Sequence, residues 1–300
     1  MTHRIWAERV SVCALLVLTT ITAMPAFAAT IFSTGNPDGL IATGARPASP
    51  GVLETETADD FILGQSAMIT GATFTGLLRA GTPVSGRNSG ITDVEIELYH
   101  VFPTDSTSPP DGRVVARANS PSDKDFAAFD QAAGDISVTA TILNPRFTAS
   151  NSVANLINPK PGQFTGGEGE VTGEEVLFNV TFNTPFFVGA TDHDFFRPEV
   201  GVTDPSATNL FMWLSAPKPI VAPGTPFNGD LQTWIRNSDL SPDWERVGTD
   251  VTGQGPFNAA FSLSGTDVPE PSTWVLLGIG LGLISIKLRW FRPGAGRLTN

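Results

Sequence analysis

Two acidic clusters and a few aromatic rings are the residues whose types and spacing could do chemistry. Asp59 and Asp60 are adjacent, just before Phe61, where a strand is expected to start. Neighbouring carboxylates repel, so a cation would hold them together, as would a capping role in a turn. Calcium is the cation that suits them, but it takes about 6–8 oxygens, and two side chains supply only part of that shell. Asp192-His193-Asp194 is the densest ionisable triplet. In a strand its alternate members point to opposite faces, and no second His lies at metal-ligand spacing. It reads as a solvated loop ahead of a Phe195-Phe196 strand. Trp234 and Trp244 have charged neighbours and read either as rings that anchor loops or as half-exposed ones. Flat exposed rings on one sheet are how sugar-binding modules hold glycans, so these two are the candidate glycan platform. Trp213, in Leu210-Phe211-Met212-Trp213-Leu214, is apolar on both faces and is expected in the core.

Nucleophilic catalysis lacks its parts. There is no Gly-x-Ser-x-Gly elbow, and the serines are scattered through turns. The lone cysteine, Cys13, lies in the N-terminal apolar run. Paired acids, as in a glycan hydrolase, are available in number, but nothing in the sequence selects a pair. The reading is non-enzymatic with no cofactor, calcium apart. Carbohydrate-binding module is the first alternative and extracellular glycan hydrolase the second.

The elements that must position these residues are strands. Val94, Ile96 and Leu98 share one face and Asp93, Glu95 and Glu97 the other; the same period of two runs through Ile136–Ile142, Val176–Phe182 and Phe257–Leu263. Val94, Ile96, Leu98, Val176, Phe178, Val180, Phe261 and Leu263 are therefore expected to be buried, and Glu95 and Glu97 exposed. Gly and Pro turns at 109–112, 166–167 and 223–224 separate the runs. An all-β fold follows: an antiparallel, jelly-roll-like β-sandwich over residues 29–265. Residues 122–133 read as a short helix or polar loop, and 151–169 as a long loop or hairpin.

Both ends read as addresses. His3, Arg4 and Arg9 precede an apolar run from Val10 to Met24, and Ala26-Phe27-Ala28 is a small-x-small cleavage site. Residues 1–28 are thus expected to be a signal peptide and Ala29 the mature start. At the other end, Val268-Pro269-Glu270-Pro271 is followed by an apolar stretch from Trp274 and by Lys287, Arg289 and Arg292. Trp274–Ile286 reaches only about 20 Å; Trp274–Phe291, with its bases snorkelling, reaches about 27 Å, a marginal span of a ~30 Å core. The bases, running from 287 to 297, place the C-terminus in the cytoplasm and the body beyond the inner membrane, in the periplasm.

The order of Pro269-Glu270-Pro271, short apolar helix and basic end resembles the PEP-CTERM sorting signal of Gram-negative bacteria over residues 266–300. Thr57–Phe61 and Phe257–Leu263 resemble segments of exported PEP-CTERM β-sandwich proteins. The resemblance implies an exosortase as partner, cleavage near the motif, and release or transfer of the body to the outer surface or medium. It also implies a link to exopolysaccharide and biofilm. A plain C-terminal anchor is the competing reading of the tail.

Charge narrows the partners. The chain has 18 Lys and Arg against 30 Asp and Glu. Arg4, Arg9, Lys287, Arg289, Arg292, Arg297, Glu8 and Glu270 lie outside 29–268, which leaves 12 bases, 28 acids and a net charge of −16 there. Such a body is repelled by phosphate backbones, so no nucleic acid is expected.

Overall fold

The computed structural model describes residues 29–87, 89–109, 111–115, 117–157, 163–217, 232–268, 278–281 and 284. The chain forms β1 (Ala29–Ser33), β2 (Ile41–Gly44), β3 (Thr55–Ile62), β4 (Ala67–Leu78), β5 (Ile91–Val101), β6 (Pro121–Asp130), β7 (Ile136–Ala149) and β8 (Asn151–Val153). It continues with β9 (Val171–Val188), β10 (His193–Val202), β11 (Met212–Ala216), β12 (Trp234–Asn237), β13 (Glu245–Arg246), β14 (Asn258–Ala259) and β15 (Phe261–Asp267). A single π-helical turn, Val247–Val251, follows β13.

These strands make two sheets. The smaller runs β13-β12-β3-β10-β5-β6 and is antiparallel throughout. In the larger, β4 is lined on one side by β15 and then β11, and on the other by β9; β1 flanks β15, and β7 flanks β9. β2 and β8 extend it beyond β11, and β2–β8 is parallel, so this sheet is mixed rather than purely antiparallel.

The main core lies between the sheets, because each presents its apolar residues inward with period two. Phe196 of the smaller sheet stacks on Phe261 of the larger at 5.1 Å and 2°. Phe74 stacks on Phe178 at 4.7 Å, and Phe32 lies 5.8 Å from Phe61. Trp213 is fully buried among these rings and donates from Nε1 to the Ala260 carbonyl at 2.9 Å. The eight side chains expected in the core are all buried.

Several expectations need correction. Asp59 and Asp60 lie within β3, not ahead of a strand. Residues 121–130 form β6, whose Phe126 and Phe129 pack against the core, in place of a helix or loop. Glu95 and Glu97 are half-buried rather than exposed, because the outer face of their sheet is covered and charged. The run 257–263 is interrupted at Ala260: β14 pairs with β11, and β15 with β1 and β4. At the far end of β7, Ile142 is 40 % exposed, beyond the shelter of the smaller sheet.

At the C-terminus, residues 278–281 and 284 are helical. Among the described residues no helix is long and apolar enough to cross a membrane. The rest of the expected span, the signal peptide through Ala28, Pro269-Glu270-Pro271 and Lys287, Arg289 and Arg292 lie outside the described residues.

Candidate functional site

The two ends of the body meet on β1 and β15. Ala29, the expected mature start, pairs with Gly265, and Phe32 with Leu263. β15 continues on its other side against β4, through Thr266 with Met68 and Asp267 with Ala67. This is two residues past the expected domain end at 265. The Val268 amide then donates to the Ser66 carbonyl at 2.7 Å. Pairing runs to the first residue of Val268-Pro269-Glu270-Pro271, and Pro269, with no N–H, is where a ladder must stop. Gly265 is required here, since a Cβ would lie 2.2 Å from the Met68 carbonyl oxygen. An open depression of about 370 Å³, lined by Ala29, Thr30, Ile31, Leu63, Gly64, Gln65 and Asp267, sits at this end. Val268-Pro269-Glu270-Pro271 therefore begins at the rim of the folded body with no spacer.

The outer face of the smaller sheet carries a dense cluster of paired charges. Alternation brings Glu54 and Glu56, Glu95 and Glu97, Arg197 and Glu199, and Arg236 onto one face from β3 and its approach, β5, β10 and β12. Arg197 is 1 % exposed, reaches Glu54 at 3.1 Å and Glu97 at 3.3 Å, and pairs with Glu199. Arg236 bonds Glu56 at 2.7 Å and the Tyr99 hydroxyl at 3.2 Å, and lies 4.3 Å over the Trp244 ring. Burial pushes the Glu199 carboxyl up to about 8, although Arg197 opposes this. Glu54 and Glu95 are also raised, first by burial and then by neighbouring carboxylates. Burial alone would lower both arginines; the surrounding carboxylates hold them above the ordinary value. The arrangement pairs its own charges and ties four strands together.

The expected glycan platform is overturned. Trp234 and Trp244 are both fully buried. With Ala58, Tyr99 and Phe195 they form a compact apolar cluster beside the ionic group. Their charged neighbours misled: Arg236 is the roof of Trp244, and Glu245 is itself 1 % exposed. Neither ring offers a face to a sugar.

The two candidate cation ligands diverge. Asp59 faces the core side, where it accepts from the Ala259 amide and from Thr233. Burial, then Asp60, raises it well above the ordinary value. Asp60 points to the outer face, 2.7 Å from His193 Nε2. Among the described residues no three His, Cys, Asp or Glu side chains group as a metal site would need. The triplet is not a loop: β10 starts at His193, and Asp194 turns inward, 3.9 Å from His100 Nε2. Burial, and then Asp192, raise Asp194 to about 6 against His100 and His193.

Arg197, Arg236, Glu56 and Glu199 were not singled out by sequence. The usable signal was Glu-x-Glu at 54–56 and 95–97 against Arg-x-Glu at 197–199, spacings that put both charges of each pair on one face of an extended chain.

A comparison with known families places a PEP-CTERM protein-sorting motif at residues 267–292. The match begins at Asp267, the last residue of β15. No curated protein and no solved structure gave a significant match to the chain.

Proposed function

We propose that this chain is an exported, non-enzymatic surface or matrix protein whose β-rich body is delivered by its tail. The tail helix, 274–291, holds it in the inner membrane with the body in the periplasm. An exosortase then cuts near Pro269-Glu270-Pro271, and the body passes to the outer surface or medium, in association with exopolysaccharide. The observation that carries this reading is the sorting motif at 267–292, at the C-terminus and directly after the last strand. The N-terminal reading agrees: a signal peptide through Ala28 would free Ala29, the first residue of β1. The body's net charge of −16 supports solubility outside the cell and opposes nucleic-acid partners.

The test replaces Pro269, Glu270 and Pro271 with alanines in the host. The variant is expected to stay full-length in the membrane fraction while the parent is trimmed. A variant trimmed and released like the parent would leave a plain anchor.

A further inference from the structure

β7 is a free edge of the larger sheet: among the described strands it pairs with β9 alone. Free edges invite pairing with another chain, and proteins blunt them with charge, Pro or bulges. The distal half of β7 has all three. Pro145 and Arg146 lie there, and register breaks fall between Ile142 and Asn144 and between Asn144 and Phe147. The proximal half has none. Residues 136–142 read Ile-Ser-Val-Thr-Ala-Thr-Ile, without charge, Gly or Pro, and pair with β9 in unbroken register. Short uncharged segments of high β propensity are the ones that self-associate when an edge is open.

We propose that residues 136–142 join two copies of this chain edge to edge, antiparallel, about a two-fold axis at Thr139. The sequence supports a second copy because the segment is nearly palindromic. Such an axis sets Ile136 opposite Ile142, Ser137 opposite Thr141, Val138 opposite Ala140, and Thr139 opposite itself. Directly opposed β-branched and hydroxyl pairs are favourable, and no like charges meet. Facing residues must share a sheet face, so a slip by one residue is forbidden, and among the registers that remain the axis at Thr139 is the one that matches the near-palindrome. Ser137, Thr139 and Thr141 are exposed, Ser137 donating to Asn183 Oδ1 at 3.3 Å; Val138 and Ala140 are half-buried and Ile142 is 40 % exposed, so pairing extends the core across the joint. Two bodies of net charge −16 repel, and this segment adds no charge of its own to the contact. The contact is isologous and closes as a dimer, with the breaks after Ile142 ending the ladder.

The experiment uses the full chain in mild detergent, with Cys13→Ser removing the native thiol. Thr139→Cys should form a disulfide-linked dimer at least about tenfold faster on mild oxidation than Thr107→Cys, an exposed loop position, because pairing holds the two thiols at high effective concentration. Thr139→Lys should halve the mass seen by light scattering while circular dichroism and Tm stay at parent values. Equal cross-linking at the two positions would overturn the proposal. So would a parent that is monomeric at every concentration, or a Thr139→Lys chain that keeps the parent's dimeric mass.

Discussion

Arg197 is the residue on which the smaller sheet turns. A guanidinium that is 1 % exposed survives because carboxylates from three segments surround it. Removing it leaves Glu199, whose side chain is 4 % exposed, buried without its partner, so Arg197→Ala should cost about 3–5 kcal/mol in urea denaturation. Phe178, stacked on Phe74 and fully buried, tests packing instead. Phe178→Ala should cost roughly 3–5 kcal/mol by the same measurement. Glu245 tests charge without an arginine. Burial, then Asp250, pushes its carboxyl up to about 8 from an ordinary 4.5. A carboxyl raised on folding holds an extra proton in the native state across that window. Its contribution is therefore favourable at the acid end and is lost as pH climbs through the folded value. Stability should fall from pH 4.5 to 8, by at most about 1.4 kcal/mol for each pH unit of the window from this group. Glu245→Gln should flatten that part of the profile; an unchanged slope would mean that Glu245 is not the titrating group.

At the scale of elements, β15 decides where the body ends. Its pairing continues through Thr266, Asp267 and the Val268 amide. A chain ended after Gly265 should therefore melt below one ended after Val268, each lost hydrogen bond being worth about 0.5–1.5 kcal/mol. Equal melting temperatures would show that the last rungs contribute nothing. The strands with a clean period of two, β5 and the middle of β9, were legible from sequence, since one face had only apolar residues. β6 was not: Asp123, Lys124 and Asp125 sit where it lies half open, and only Phe126 and Phe129 mark the buried side. Asp59 and Asp60 hid the middle of β3, because pairing across the sheet, with Phe196 and Phe195, overrides the turn preference of adjacent acids. Trp234 and Trp244 were misread for a related reason. Sequence shows that their neighbours are charged, but the partner that shields those charges comes from β5, more than a hundred residues away.

At the scale of the molecule, the fold brings the two proposed processing points together. Ala29 lies opposite Gly265, three residues before Val268, so both ends of the body leave from the same end of neighbouring strands. On the proposed function, a body with no spacer before its motif sits against the membrane while the tail holds it. The measurement that tests this account most directly is the intact mass of the protein recovered from membranes and from the medium of its host. The account predicts a membrane species running from Ala29 to Asn300, and an outside species that starts at Ala29 and ends near Pro269-Glu270-Pro271. An outside species that still carries Lys287, Arg289 and Arg292 would contradict it.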